Sequence, residues 1–327
     1  MPGTLRSVLT ERSSSAVLRA QNGALLLALV LVASCAPSAE TPARRAEPVR
    51  LATAGEPIAT AALARFSKRR AMRHVRRLAR DIGVRVRANT GEYRASRYIR
   101  RRFRSHGYNV KIQKFSVDSD TSRNVIARSP DIVDHPFVIG AHMDTVSGSP
   151  GANDNASGVA VMLEIARLVS STAKARFIKF IAFGAEEYGQ DGRHHVGSQV
   201  NVNRLSNREV RRTPGMISVD MIADGTPLIV GTSGIGPEIV ARTLYRKIRR
   251  AGISVTYRTT CDCSDNGPFE RAGIPAAFMW SGDEPDYHSP SDRVRNLEPD
   301  HLRRTGRAVR VFVKSLSRAL LRRFREH

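Results

Sequence analysis

The sequence predicts an α/β fold: a three-layer sandwich with a mixed, mostly parallel central sheet flanked by helices. Three observations carry that expectation. Short apolar runs of strand length alternate with stretches of helical periodicity from about residue 60 onwards. Several of those runs end abruptly in His, Asp or Glu, and in open α/β sheets ligands collect at the carboxyl ends of strands. The chain has 327 residues, 41% hydrophobic and 25% charged, which fits an ordinary globular domain and excludes a disordered or repeatedly membrane-spanning chain.

The first 34 residues read as an address. Arg6, Arg12 and Arg19 precede an apolar stretch, Gly23 to Ala33, that is too short for a transmembrane helix and has the size of a signal-peptide core. Val32-Ala33-Ser34-Cys35 then resembles a bacterial lipoprotein signal, whose cleavage leaves a lipid-bearing Cys35. A plain secretory signal or an uncleaved anchor are the alternatives. Residues 35–58 are rich in Pro, Ala and charge without periodicity and read as a linker. The catalytic domain is expected over 59–327.

Within that domain, helical spacing covers 61–82 and 92–106. Strand-like runs follow at 124–127, 136–141, 177–183, 216–219, 227–230 and 276–279. Helices are expected at 156–169 and 237–251, and a closing helix at 299–325 places Leu302, Val309, Phe312, Leu316, Leu320 and Phe324 on one face. There is no internal repeat.

The formal net charge is +23, mostly arginine, and removing residues 1–34 takes away three arginines and one glutamate, so the remainder stays basic. Basic residues are spread along the chain with no nucleic-acid module to focus them, so no nucleic-acid partner is expected. Attraction to anionic lipids is a further use of the charge. Of the three cysteines, Cys261 and Cys263 share a loop, which leaves two free thiols or a labile bridge open.

The chemistry lies at the strand ends. The 137–141 run leads into His142 and Asp144, the 180–183 run into Glu186 and Glu187, and the 216–219 run into Asp220. Asp154 stands just before the helix at 156, where the positive helix end favours a carboxylate. His288 sits in a loop bounded by turn residues. Two imidazoles with three carboxylates suit zinc. Each residue alone reads as a cap, a surface pair or a plain loop histidine; their joint occurrence points to a metal site.

The ordered segments AHMDTV, SPGANDNASG, GAEEYG, SVDM and DYHSPSD resemble the bacterial co-catalytic zinc aminopeptidases of the leucyl aminopeptidase and aminopeptidase Y type, over roughly 65–320. The resemblance implies a zinc exopeptidase fold, related to glutaminyl cyclases, and two zinc ions per chain. It assigns His142 and Asp220 to one zinc and Glu187 and His288 to the other. Asp154 bridges both, Glu186 is the general base, Asp144 orients His142, and Tyr287 stabilises the oxyanion. It also implies a cis peptide after Asp154, and peptide substrates with a free N-terminus. Two metals ~3.5–4 Å apart would activate one water between them.

Two positions depart from the family: Asn266 stands where histidine is common, and Arg193 where serine is. Both bear on side-chain preference, as does the loop 259–269. His194 and His195 fall in no motif and are expected to be surface histidines. The competing readings are a single-zinc glutaminyl-peptide cyclase, a carboxypeptidase or other amidohydrolase on the same scaffold, and a non-catalytic envelope binding protein.

Overall fold

A computed structural model describes residues 63–326. The expected signal peptide, Cys35 and the linker lie outside these residues. Among them no helix is long and apolar enough to cross a membrane.

The first helix, α1 (Lys68–Val75), starts where Ser67 accepts a hydrogen bond from the Arg70 amide. It passes into a π-helical turn, Arg76–Ile82, that ends at Gly83 with φ +80°. The helix read at 61–82 is thus shorter and changes type midway. Helix α2 (Thr90–Arg104) is capped by Asn89, and strands β1 (Asn109–Val117) and β2 (Asp120–Arg128) form a hairpin. Then come β3 (Phe137–His142), α3 (Ala156–Val169), β4 (Ile178–Phe183), α4 (Val196–Asn203), α5 (Asn207–Arg212) and β5 (Met216–Val219). The chain continues through β6 (Leu228–Thr232), α6 (Ile239–Arg250), β7 (Thr256–Thr259), α7 (Asn266–Arg271) and β8 (Ala276–Ser281), and ends with α8 (Pro299–Ser315) and α9 (Arg318–Arg325). The closing helix read at 299–325 is broken at Leu316, where Ser317 caps a new helix by accepting from the Leu320 amide.

The strands form one sheet in the order β1-β2-β4-β3-β5-β8-β6-β7. Its centre, β4-β3-β5-β8, is parallel; β1 with β2, β2 with β4 and β6 with β8 are antiparallel. The expected three-layer α/β sandwich is what forms. Alternation along each central strand explains the layers. Phe137, Ile139, Phe180, Ala182, Ile217 and Val219 face one core, with α1, α2, α3, α6, α8 and α9 supplying Val75, Phe103, Leu163, Leu244, Phe312 and Phe324. Val138, Ile181, Phe183 and Met216 face a second core closed by Val202 of α4 and Phe269 of α7. With both faces covered, the central strands are buried throughout.

One close approach positions the site. At Gly158 in the first turn of α3, an added Cβ would stand 2.0 Å from the Val219 carbonyl oxygen. Only glycine lets the start of α3, with Asp154 just before it, lie against the end of β5, with Asp220 just beyond it.

Candidate metal centre

Five chain segments converge at the carboxyl ends of β3, β4 and β5, the fifth being the loop of His288. His142 is the last residue of β3, Asp220 follows β5, and Glu186 and Glu187 follow β4. Asp154 precedes α3 after a loop that binds firmly to its surroundings. Asn155 caps α3 by accepting from the Gly158 amide and donates to the Val219 carbonyl; Asn153 accepts from the Ala223 amide. The Asp154–Asn155 peptide is cis, as the resemblance implied.

His142 Nε2 stands 3.1 Å from Asp154 Oδ1 and 3.2 Å from Asp220 Oδ1. His288 Nε2 stands 3.2 Å from Asp154 Oδ2 and 3.1 Å from Glu187 Oε2. The two triads share Asp154, one oxygen to each side. Donors around a tetrahedral zinc, bound at ~2.0–2.1 Å, stand roughly 3.3 Å apart; the observed spacings match that requirement. Glu187 Oε1 is also buried without a hydrogen-bond partner. His142, Asp154, Asp220, Glu186 and Glu187 are all buried, and His288 is the partly open member.

The electrostatics point the same way. Burial disfavours every charge here, yet Asp220, Glu186, Asp144 and Asp154 raise the His142 pKa well above the ordinary imidazole value. Burial likewise opposes protonation of His288, but Asp154 and Glu187 lift it to about 10. Glu187 is pushed up to about 7, by burial first and then by the charge of Asp154. Burial also drives Glu186 well up, with Glu187, Asp265 and Asp220 adding to it against His142. Such a crowd of buried carboxylates is short of positive charge, which a divalent cation supplies.

Asp144, expected to orient His142, lies 3.7 Å from its Nδ1, beyond hydrogen-bond reach, and instead accepts from the Glu186 and Glu187 amides at 3.1 Å each. Tyr287 is half exposed and stacks on the His288 ring, centroids 3.7 Å apart. Asn266 is buried and donates to Glu270, while Arg193 is paired with Asp191 in the open. Cys261 and Cys263 are joined as a disulfide.

One reading is corrected. His195 is not a surface residue: it is 2% exposed, its amide donates to the Glu186 carbonyl, and its Nε2 stands 2.9 Å from Glu186 Oε1. Burial first, then His194, Arg271 and His142, pulls its pKa down to about 3. His194 is partly exposed and stacks on Tyr188.

Three supports had no counterpart in the sequence reading. Arg85, fully buried, donates to the carbonyls of Met143, Leu78, Gly83, Pro150 and Gly151, so one guanidinium ties the His142 loop to the Asp154 loop. Asp292 accepts from the Asn153 and Asp154 amides and thereby anchors the His288 loop. Ser264 donates to Asp220 Oδ2. A lone arginine in an arginine-rich chain carries no local signal; Asp292 lay within a recognised motif, but its partners are 138 and 139 residues away. A cationic cavity of about 480 Å³, with Arg70, Arg73, Arg102 and Arg167 in its wall, shares no lining residue with this centre.

Residues 124–313 match Peptidase family M28. Aminopeptidase YwaD of Bacillus subtilis is 36% identical over 221 residues, 62% of this chain and 46% of that protein. Probable lipoprotein aminopeptidase LpqL of Mycobacterium tuberculosis is 29% identical over 231 residues, 59% of this chain and 44% of that protein. The chain spans about half the length of these curated relatives. Among solved structures, the zinc aminopeptidase BSAP from Bacillus subtilis superposes with a TM-score of 0.70 at 21% identity, covering 76% of this chain and 94% of that one. A Bacteroides thetaiotaomicron glutaminyl cyclase bound to N-acetylhistamine gives 0.67 at 21%, covering 78% and 100%. At this identity the two share the fold.

Proposed function

This chain belongs to peptidase family M28, and we propose that it is a zinc aminopeptidase that removes the N-terminal residue from peptides. The observation that supports the proposal is the pair of residue triads joined by Asp154, which would offer each of two cations an imidazole and two carboxylates. His142 and Asp220 would hold one zinc, His288 and Glu187 the other, and Asp154 both. When bound, zinc supplies Lewis-acid polarisation of the scissile carbonyl and acidifies water at the site.

The protein's own groups do the rest. Glu186 lies against the first triad, its Oε2 3.9 Å from His142 Nε2 and close enough to form a ligand-capable group with His142 and Asp220; we assign it the base and not a ligand. From there it takes the proton of the attacking water and returns it to the leaving amine. Burial raises its proton affinity, which favours uptake of the proton from water. Asp144 fixes Glu186 and Glu187 by their amides, so base and ligand keep one spacing. Tyr287, stacked on His288 at the open side of the centre, would hydrogen-bond the developing oxyanion. The free amine of the substrate binds among the carboxylates, which restricts cutting to the N-terminal residue.

Export and lipidation at Cys35 belong to the same proposal, supported by a relative named a lipoprotein aminopeptidase. A Cys35→Ser chain that still takes up labelled lipid would refute that part. The enzymatic part is tested with leucyl and arginyl p-nitroanilide: chelator and Glu186→Gln are expected to abolish release of p-nitroaniline. A chain that binds one zinc, releases no amine and cyclises glutaminyl peptides would overturn it.

A further inference from the structure

We infer that His195 is the positioning residue for Glu186, holding one carboxylate oxygen so that the other alone faces the reacting water. The inference rests on the aminopeptidase reading of the site and adds to it a residue that lies in none of the five motifs. The geometry is specific. His195 Nε2 stands 2.9 Å from Glu186 Oε1 and 3.0 Å from His194 Nδ1, so the tautomer with its proton on Nε2 is the one that can donate to the carboxylate, while Oε2 is the oxygen turned toward His142. The two residues are tied twice, since the His195 amide also donates to the Glu186 carbonyl at 2.7 Å.

His195 itself is held in one orientation. It has φ +52° at the start of α4, is 2% exposed, and packs its ring edge-on against His194 with centroids 3.9 Å apart. A carboxylate on a flexible glutamate has two equivalent oxygens and a free terminal torsion. Anchoring Oε1 removes that freedom before the substrate arrives, and misplacing a reacting group by ~1 Å costs on the order of 10²-fold in rate.

The test uses the full chain carrying His195→Leu, His195→Gln, and each of these combined with Glu186→Gln. The glutamine amide reaches about as far as Nε2 and can donate the same hydrogen bond. His195→Leu is expected to lower kcat for leucyl p-nitroanilide ~10–100-fold, with KM within twofold and zinc content unchanged. His195→Gln recovers most of the loss, and neither substitution costs anything further on top of Glu186→Gln. Proton NMR provides a readout independent of turnover: an exchange-protected imidazole N–H resonance of His195 that shifts or vanishes in Glu186→Ala. A His195→Leu enzyme within threefold of wild type would overturn the inference. So would equal losses in the Leu and Gln variants accompanied by loss of zinc. If the wild-type chain hydrolyses no N-terminal substrate, the aminopeptidase reading fails instead, and the NMR resonance alone decides whether His195 holds Glu186.

Discussion

Replacing Arg85 with methionine tests whether the two ligand loops depend on a buried cation. The guanidinium makes five hydrogen bonds, all to backbone carbonyls, at 2.7 to 3.2 Å. A hydrogen bond from a charged donor is worth ~1.5–3 kcal/mol net, and a buried carbonyl left unpaired costs ~1–3 kcal/mol. A simple sum overshoots, because methionine also removes the cost of burying the charge, which burial expresses by pulling the Arg85 pKa down to about 10. A net loss of about 4 kcal/mol follows, at the size seen when one member of a buried charged network is removed. For a domain of this length that lowers Tm by roughly 8–16 °C. Because Met143 O lies between His142 and Asp144, and Gly151 O close before Asp154, zinc affinity is expected to fall ~10–100-fold as well. Differential scanning calorimetry with and without chelator, and zinc competition against a chromophoric chelator, measure the two effects. Arg85→Lys should rescue little, since an ammonium offers three donors. A Tm shift below about 3 °C with unchanged zinc affinity would refute the role given to Arg85.

Other consequences follow from the same structure. Asp144→Asn replaces one of the two oxygens that accept the Glu186 and Glu187 amides with an N–H donor; zinc affinity should fall ~10–100-fold, read by the same competition. Gly158→Ala would press a methyl against the Val219 carbonyl and the Asn155 side chain; the variant is expected to be insoluble or zinc-poor, by yield and metal analysis. His74, whose Nδ1 lies 2.5 Å from Tyr98 Oη, is pulled from 6.5 to about 3, first by burial and then by Arg102, His106 and Arg73. The folded state thus keeps it neutral while the unfolded chain takes up a proton near pH 6.5, so this contribution to stability is complete above 6.5 and is lost as pH falls toward 3. Urea midpoints should show wild type losing roughly 2 kcal/mol more than His74→Gln between pH 6.5 and 5.

The five proposed ligands were legible through their joint occurrence in ordered motifs, four at strand ends or a helix start and His288 in a loop, and not from any one of them alone. The central elements were legible for the same reason of pattern: α3 and β5 fall at the residues read for them, since strands and helices buried on all sides leave continuous apolar runs. The sheet edges were not. Strand β1 exposes Asn109, Lys111, Lys114 and Ser116, and β7 is half exposed over four residues, so neither makes an apolar run. The break at Leu316 was hidden because its apolar face continues across it into Leu321 and Phe324. What the chain does not display locally is the layer behind the ligands. Arg85, Asp292 and His195 act through partners on other segments, and a residue type with no periodicity gives no notice of a contact made only when the sheet closes.

The measurement that bears most directly on the account is the zinc content of the purified chain, taken together with hydrolysis of leucyl p-nitroanilide by wild type and by Glu186→Gln. The account requires two zinc ions per chain in both proteins, with turnover in the wild type and a fall of at least ~10²-fold in the variant. One zinc per chain, or a Glu186→Gln enzyme as fast as wild type, would contradict it.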